Sequence, residues 1–264
     1  MSEVSFFKYQ GAGNDFIMVD NRQLLLPRID PERYRRWCNR KFGIGADGVI
    51  FIQDAKGYDF EMVYYNADGS EGSMCGNGGR CAVRFATQLG LIKGKTQFLA
   101  VDGAHEAQLL PNHWVSLGMI DVHEIKEMGD GYFVNTGSPH HVEVVSGLAT
   151  YNVEKEGKDI RWQKTYQPGG TNVNFMEISA SDALQVRTFE RGVETETLAC
   201  GTGVTACALV WAKKNNKQGK QSVDIKTLGG VLRVSFKADK GRFHHIFLEG
   251  PAEMVFSGLI RDNF

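Results

Sequence analysis

The 264-residue sequence lacks the features that place a protein in a membrane or on a nucleic acid. No stretch approaches 18 consecutive apolar residues, so no membrane-spanning helix is predicted. No run of five or more basic residues occurs, and a net charge of −1 argues against a polyanionic partner. The first residues, MSEVSFFKYQ, have no basic start followed by an apolar core, so no signal peptide is predicted. We therefore expect a cytoplasmic protein with neither a membrane nor a nucleic acid as partner.

Cysteine is scarce, and its arrangement excludes two structural uses. Five cysteines at irregular spacing make a poor disulfide framework and indicate a reducing compartment. Metal sites usually draw on closely paired cysteine or histidine residues. Cys75 and Cys81 are separated by five residues, and the adjacent His140 and His141 project to opposite faces of a strand. No metal site is predicted.

Cofactor-binding loops are also missing. The GIGADG string at 43–48 follows a helix-like basic segment and precedes the β-branched run VIFI, whereas a dinucleotide loop follows a strand and opens a helix. The GLIKGKT string resembles a phosphate-binding loop, but only three residues separate Gly90 from Gly94 where four are needed. No lysine stands in a recognisable pyridoxal phosphate context. We predict chemistry without a cofactor.

Glycine, by contrast, is abundant, and it appears in a repeated motif. SMCGNGGRC holds Cys75, and LACGTGVTAC holds Cys200, 200 − 75 = 125 residues later. A strand-like segment precedes each motif, DFEMVYYN at 59–66 and ALQVRTFE at 183–190, and an Ala-rich helical pattern follows each. This repeat predicts an α+β protein of two pseudo-symmetric domains, each a strand-rich shell around one buried helix. The predicted domains are residues 1–117, with 253–264 returning to them, and residues 118–252.

Other patterns complete the expected element order. Helices are predicted from Gly76 to a stop at Gly90 and from Gly201 to the KKNN run at 213–216. A third, amphipathic helix is predicted at 31–42 and placed at the surface. Alternating apolar and polar residues predict further strands at 113–120, 231–236 and 245–250.

The two repeated cysteines lie where helix starts change thiol chemistry. The first N–H groups of a helix and its positive dipole end favour a thiolate and can also bind a carboxylate. A single such cysteine is more simply a small buried cap, but two in matching contexts indicate function. Opposed thiols suit inversion of a carbon with an acidic proton. One thiolate removes the proton, the other thiol delivers one, and the helix starts stabilise the charge that develops on a neighbouring carboxylate.

Strings along nearly the whole chain resemble the diaminopimelate epimerase family, pyridoxal-independent enzymes that interconvert the LL and meso forms of diaminopimelate on the lysine and peptidoglycan pathways. The strings are GAGNDFIMVD (11–20), FGIGADGV (42–49), YYNADGSEGSMCGNGGRC (64–81), GSPHHV (137–142), GTNVNF (170–175), FERG (189–192), ACGTGVTA (199–206) and GPAEMVFSG (250–258). The resemblance implies a barrel around a central helix in each domain, and an active site between the domains.

The resemblance also implies roles for particular residues. Cys75 and Cys200 match the two acid/base residues of the family. The backbone N–H groups that hold the reacting carboxylate match Gly76, Asn77, Gly201 and Thr202. Substrate-binding positions match Asn14, Asn66, Asn172, Glu190 and Arg191, with Arg191 suited to a bidentate grip on the distant carboxylate. His140 matches a histidine beside the thiols.

The sequence departs from the family pattern in three places. Ser138 stands where an Asn precedes Pro-His in many members, and its hydroxyl has a shorter reach than an amide. Gly48 stands where many members have Gln, which removes a polar contact. The segment between Glu190 and Cys200 is one residue longer than the common form. These departures affect the expected grip on the substrate more than the reaction type.

Alternatives stay open at this stage. One alternative is a racemase of the same two-thiol type acting on proline or hydroxyproline. Arg191 and the asparagines suit a substrate with a second charged amino-acid end, which these small substrates lack. A redox switch joining Cys75 to Cys200, and an isomerase with a carboxylate base, are alternatives of other kinds. A homodimer is possible, and the sequence leaves the oligomeric state undecided.

Overall fold

The computed structural model describes residues 2–180 and 183–262. Contacts divide the chain into two units, Met1–Leu117 with Gly250–Phe264, and Gly118–Glu249. The returning segment thus begins at Gly250, where the sequence analysis placed the return at Glu253. The backbone N–H of Ala252 donates to the carbonyl of His113, which ties this segment to the first unit.

The described residues form seventeen strands and four α-helices. The helices are α1 (Pro31–Cys38), α2 (Gly76–Gln88), α3 (Val153–Arg161) and α4 (Gly201–Lys214), with 3₁₀ turns at Leu148–Thr150 and Lys164–Tyr166. The strands are β1 (Ser2–Gly11), β2 (Asn14–Asp20), β3 (Gly48–Gln53), β4 (Phe60–Asn66), β5 (Lys95–Ala100), β6 (Gly103–Leu109), β7 (Trp114–Gly118), β8 (Lys126–Met128), β9 (Gly131–Asn135), β10 (Pro139–Val144), β11 (Asn172–Ala180), β12 (Ala183–Glu190), β13 (Thr195–Thr197), β14 (Gly219–Thr227), β15 (Gly230–Asp239), β16 (Arg242–Pro251) and β17 (Glu253–Asp262).

In the first unit the strands surround α2. β1 pairs antiparallel with β17 and β2, β2 pairs parallel with β3, and β3 pairs antiparallel with β4. β4 then pairs parallel with β5, which begins the antiparallel run β5–β6–β7. Helix α2 packs against β1, β2, β3, β4 and β6. Its Ala82, Val83 and Phe85 are fully buried, as an apolar helix inside a shell of strands requires.

The second unit repeats the same pairing order. β9–β10 is antiparallel, β10–β11 parallel, β11–β12 antiparallel and β12–β14 parallel, and β14–β15–β16 is antiparallel. Helix α4 packs against β9, β10, β11, β12, β14 and β15, and its residues from Gly203 to Ala212 are buried. The small strands β8 and β13 are additions to the repeat. The predicted strand-rich, two-part α+β fold is confirmed.

The helices differ from prediction in two places. α1 ends at Cys38, earlier than the predicted 42, and it buries Tyr34 and Trp37 against the aromatic side chains of Phe51 and Tyr65. α3 was not predicted at all. It joins β10 to β11 in the second unit as α1 joins β2 to β3 in the first.

No helix among the described residues is long and apolar enough to cross a bilayer.

Candidate active site

In the first unit, three strand ends bring polar residues to one edge. β2 and β3 are parallel and begin at the same edge, and β4 is antiparallel to β3 and ends there. Asn14 begins β2, Gly48 begins β3, and Asn66, the partner of Gly48, ends β4. The sulfur of Cys75 lies 3.6 Å from Oδ1 of Asn14, so the start of α2 is at this edge too.

Cys75 is the N-cap of α2, and its side chain is half-buried. Its backbone is extended, with φ −112° and ψ 120°, and its carbonyl accepts the first helical hydrogen bond from the N–H of Gly79. The N–H of Gly78 points at the sulfur over 3.5 Å. A thiolate here receives an N–H donor and the positive end of the helix dipole, so its charge is favoured.

The amide of Asn14 has a defined orientation. Its Nδ2 donates to the carboxylate of Asp47 over 2.6 Å, and an ionised carboxylate can only accept. Oδ1 therefore faces the sulfur of Cys75, and it also lies 3.4 Å from Nδ2 of Asn77. Asp47 is held in turn by an ion pair with Arg40 over 2.9 Å. Asn14 is therefore placed to accept a hydrogen bond from the Cys75 thiol.

A buried guanidinium lies one turn along the same helix. The Arg80 side chain is fully buried and donates to the carbonyl of Gly76 over 3.2 Å and to Oδ1 of Asn77 over 3.0 Å. No carboxylate among residues 2–180 and 183–262 forms an ion pair with it. Burial lowers the pKa of Arg80 to about 10, which still leaves a cation at neutral pH. The negative charge of Cys75, as a thiolate, would favour that cation.

Asn66 belongs to a tight loop after β4. Its Nδ2 donates to the hydroxyl of Ser70 over 3.2 Å, and its backbone N–H donates to the Ser70 carbonyl over 2.8 Å. Gly48 is the strand partner of Asn66, and a Cβ atom at Gly48 would lie 2.4 Å from the ring of Tyr64. The Tyr64 ring therefore fills the space beside Gly48.

The second unit has the same arrangement at its equivalent edge. β10 and β11 are parallel, with His140 beside Asn172, and β12 ends at Glu190. Cys200 is the N-cap of α4, with φ −110° and ψ 113°, close to the backbone angles of Cys75. The carbonyl of Cys200 accepts from the N–H of Val204 over 2.9 Å. The repeat predicted from the sequence therefore extends to the conformation of the cysteine itself.

A hydrogen-bonded chain leads from Cys200 into the unit. The Cys200 sulfur lies 3.5 Å from the Thr202 hydroxyl, which lies 2.9 Å from Nε2 of His140. Nδ1 of His140 lies 3.1 Å from Nδ2 of Asn174. His140 is fully buried, and burial, followed by the charge of Arg191, lowers its pKa to about 3. The imidazole is therefore neutral at physiological pH.

The remaining predicted residues lie at the same edge of this unit. Oδ1 of Asn172 accepts from the backbone N–H of Arg191 over 2.8 Å, and its Nδ2 donates to the carbonyl of Pro139 over 3.0 Å. Arg191 is exposed, and Glu190 accepts from the hydroxyl of Thr197 over 2.9 Å. Ser138 lies in the turn before β10, where its carbonyl accepts from the N–H of Thr136. Asn172 thus fixes the backbone from which Arg191 projects.

The other three cysteines differ from Cys75 and Cys200 in their surroundings. Burial raises the pKa of Cys38 and of Cys81 to about 12, and it raises the pKa of Cys207 above its usual range. They are packing residues. No group of three or more His, Cys, Asp or Glu residues in the described ranges is arranged to hold a metal ion.

Sequence reasoning missed Asp47, Arg80 and Asn174. The 125-residue offset between the two cysteines carries a signal for one of them, since residue 47 corresponds to residue 172, already singled out in GTNVNF. Arg80 and Asn174 lie within the quoted strings CGNGGRC and GTNVNF, but no sequence pattern singled out either residue. Each is a polar residue within an otherwise apolar core. Only the fold shows that Arg80 contacts the start of α2 and that Asn174 contacts His140.

Comparisons with known proteins identify the family to which this chain belongs. The family model described as "Diaminopimelate epimerase" matches residues 6–118 and 132–255. The diaminopimelate epimerase of Flavobacterium psychrophilum is 46% identical over 97% of this chain and all of its own length, and that of Chlorobaculum tepidum is 45% identical over 95% of this chain and 98% of its own.

Solved structures show the same fold at low sequence identity. A phenazine biosynthesis protein of the PhzF family from Bacillus anthracis matches with a TM-score of 0.80 at 15% identity, over 99% of this chain and all of its own. A hydroxyproline epimerase from Agrobacterium vitis matches with a TM-score of 0.73 at 13% identity, over 98% of this chain and 92% of its own. The match of the family model and the full-length relatives show that this chain belongs to the diaminopimelate epimerase family.

Proposed function

We propose that this chain epimerises LL-diaminopimelate to meso-diaminopimelate in lysine biosynthesis, with Cys75 and Cys200 as the two acid/base residues. Membership of the family supports the reaction. The observation that carries the residue assignment is that both cysteines are the N-cap residues of equivalent helices, with nearly equal backbone angles. One thiolate removes the α-proton, and the other thiol delivers a proton to the opposite face of the carbon. No further cofactor is needed, because the two sulfurs supply both the base and the acid.

The carbanion needs stabilisation as the proton leaves. Its charge spreads into the α-carboxylate, and we assign the backbone N–H groups of Gly76, Asn77, Gly201 and Thr202 to that carboxylate. These groups are in the first turns of α2 and α4, where N–H groups have no partner within their own helix. Donors fixed at the position where charge develops contribute about 10²–10³ each to a rate.

An acid/base residue must be stable in both protonation states. At Cys75 the thiol has an acceptor in Asn14 Oδ1, whereas the thiolate has the N–H of Gly78 and the buried charge of Arg80. At Cys200 the Thr202 hydroxyl lies at hydrogen-bonding distance from the sulfur. The thiol and the thiolate of Cys75 are therefore both stabilised, as a two-way reaction requires.

The distal amino-acid end of the substrate carries a second carboxylate and a second ammonium group. We assign the exposed guanidinium of Arg191 to that carboxylate in a bidentate pair. Glu190 and the side chains of Asn14, Asn66 and Asn172 are assigned to the ammonium groups and their surroundings, with Ser138 close by on the loop before β10. Proline and hydroxyproline lack this second charged end. The arrangement therefore favours diaminopimelate as the substrate over either of them.

The test is solvent isotope exchange. Wild-type protein incubated in D₂O with LL- or meso-diaminopimelate is expected to place deuterium at the α-carbon and to interconvert the two, with no turnover of proline. Cys75→Ser and Cys200→Ser should each lose two-way epimerisation. Cys207→Ala, on the same helix as Cys200, should keep it. Full epimerisation by either serine variant would disprove the two-base assignment. Isotope exchange with proline but not with diaminopimelate would favour a proline racemase instead.

We also propose a cytoplasmic location and a homodimer. A biosynthetic substrate and an odd number of cysteines support the location. Large apolar side chains exposed along β17 support contact with a second copy of this chain; they are Met254, Val255, Phe256 and Leu259. Light scattering should give twice the mass of one chain, and a monomer would remove the dimer from the proposal.

A further inference from the structure

Asn174 on β11 is a fully buried amide whose orientation is fixed by its neighbours. Its Nδ2 lies 2.9 Å from the backbone carbonyl of His141, which can only accept a hydrogen bond. Its Oδ1 accepts from the hydroxyl of Thr188 over 3.0 Å. A flipped amide would place two oxygens against each other at His141, so Nδ2 is the atom that also faces His140.

This orientation determines which nitrogen of His140 carries the proton. One hydrogen of Asn174 Nδ2 goes to the His141 carbonyl, and the other points at Nδ1 of His140 over 3.1 Å. Nδ1 is therefore an acceptor without a proton. Because the buried imidazole is neutral, its single proton is on Nε2.

The Nε2 proton in turn determines the direction of the Thr202 hydroxyl. Nε2 donates to Oγ1 of Thr202 over 2.9 Å, which occupies a lone pair of that oxygen. The hydroxyl proton then points away from His140, and the Cys200 sulfur lies 3.5 Å from Oγ1. The backbone of Thr202 is held in place by the Thr136 hydroxyl, which donates to its carbonyl over 2.9 Å.

We propose that Asn174 is a positioning residue for the epimerase reaction: through the Nε2-protonated ring of His140 it fixes the Thr202 hydroxyl as a donor to the sulfur of Cys200. The inference rests on the proposed role of Cys200 as an acid/base residue. A hydrogen bond to a charged acceptor is stronger than one to a neutral acceptor, so this donor favours the thiolate over the thiol. Burial, and after it the charge of Arg191, act in the same direction because they lower the pKa of His140 and keep the ring neutral.

The experiment measures the tautomer and the thiol in the full-length protein without substrate. Nitrogen-15 NMR of labelled histidine, assigned with His140→Gln, should show an unprotonated Nδ1 and a protonated Nε2 for His140 at neutral pH. The pH profile of Cys200 alkylation by iodoacetamide, resolved by peptide mass spectrometry, gives the thiol pKa. Asn174→Leu should raise that pKa by about one unit, which slows alkylation at neutral pH roughly tenfold.

Two further variants separate positioning from packing. Thr188→Val removes a hydrogen bond to Asn174 Oδ1 but keeps both Nδ2 bonds, so the tautomer and the alkylation profile should stay as in wild type. Asn174→Asp is isosteric and provides a second test of the His140 tautomer if Asn174→Leu does not fold. A carboxylate at residue 174 can only accept, so His140 should carry its proton on Nδ1 in this variant.

An Nδ1-protonated ring in wild type would overturn the proposal, as would an unprotonated Nδ1 in folded Asn174→Asp. An equal change in the Cys200 profile in Thr188→Val and Asn174→Leu would reduce Asn174 to a packing residue. These readouts use no diaminopimelate, so their failure leaves the proposed epimerisation standing. The proposed function has a separate test: it would be disproved if no deuterium from the solvent entered the α-carbon of diaminopimelate.

Discussion

Gly203 lies directly against Asn174, and a Cβ atom added to Gly203 would be 2.3 Å from Oδ1 of Asn174. That oxygen belongs to a fully buried amide between two strands and a helix, so it has little room to move. Gly203 therefore sets the distance between the start of α4 and the chain of hydrogen bonds that ends at Cys200. The equivalent glycine of the first unit is Gly78, 125 residues earlier.

Alanine at these two glycines should have unequal effects. Gly203→Ala must displace Asn174, and we expect kcat to fall roughly tenfold, which equals about 1.4 kcal/mol in the barrier. At Gly78 a Cβ atom would meet the methyl ends of Ile50 at 3.0 Å and Met62 at 3.3 Å, and flexible side-chain ends can yield. Gly78→Ala is the matched control and should keep most of the activity, because alanine also favours the helix. Steady-state kinetics of both variants would decide, and equal losses would contradict the assignment.

Arg80 should lower the pKa of the Cys75 thiol through its buried charge. Arg80→Met removes that charge, and we expect the pKa of Cys75, read from the pH profile of its alkylation, to rise by about one unit. The same variant removes the side-chain hydrogen bonds from Arg80 to the Gly76 carbonyl and to Asn77 Oδ1, so the free energy of unfolding should also fall by about 1–3 kcal/mol.

Two matched variants separate charge from packing at Arg80. Arg80→Lys keeps a cation, so the pKa of Cys75 should rise less than in Arg80→Met. Arg84→Met removes a cation one turn further along α2, where Arg84 contacts His113 at the surface, and it should leave Cys75 unchanged. A Cys75 profile that is the same in Arg80→Met and in wild type would show that the buried charge does not act on the thiol.

Burial of neutral His140 makes stability depend on pH. The folded pKa is about 3, below the ordinary 6.5, so between these values the unfolded chain binds more protons than the native one. Stability contributed by this residue is unchanged above pH 6.5 and falls as pH drops, by about 1.4 kcal/mol per unit. Urea unfolding at pH 6.5 and 4.5 should therefore show a loss in wild type that His140→Gln lacks, of about 2 kcal/mol.

Titration of the Asp15 carboxylate does not contribute to the change in stability between pH 6.5 and 4.5. Burial raises its pKa, but ion pairs with Arg40 and Lys8 outweigh burial and lower the pKa to about 2. Its contribution is present above its unfolded value of about 3.9 and is lost only as pH falls below that value. Equal losses for wild type and His140→Gln between pH 6.5 and 4.5 would mean that His140 is already protonated in the native state.

Local patterns were sufficient to predict both central helices and the two cysteines at their starts. Glycine after cysteine, followed by an Ala-rich apolar pattern, marks such a helix, and α2 and α4 begin at Gly76 and Gly201 as predicted. α3 was missed because its sequence, VEKEGKDIR, is mostly charged and contains a glycine, which hides its short buried face. Its position follows from the repeat, because residue 31, where α1 begins, plus 125 gives residue 156.

The polar residues inside the core had no local signal. Asn174 alternates with apolar neighbours along β11 as any outward polar residue would, yet it is fully buried. Its role depends on the parallel pairing of β11 with β10 and on the close approach of Gly203, neither of which short-range patterns encode. Arg80 looks like a polar position on an amphipathic helix, but α2 packs against β1, β2, β3, β4 and β6, and the Arg80 side chain is fully buried.

Gly48 illustrates how a departure from the family pattern has a steric cause. A Cβ atom there would lie 2.4 Å from the Tyr64 ring and 2.5 Å from the backbone carbonyl of Tyr65. The ring could turn aside, but a carbonyl in the β3–β4 ladder cannot. We therefore expect Gly48→Ala and Gly48→Gln to lower the free energy of unfolding by about 1–3 kcal/mol, as overpacking does. Binding should weaken as well, since Gly48 pairs with Asn66.

The control for Gly48 is Gly94→Ala, because a Cβ atom at Gly94 would meet nothing within 4 Å. That variant should match wild type in both urea unfolding and KM. If Gly48→Gln were as stable as Gly94→Ala and bound diaminopimelate more tightly than wild type, the space at Gly48 would be open to a polar side chain. The Tyr64 ring would then be a movable neighbour, and the glycine would reflect the loss of a contact rather than a lack of room.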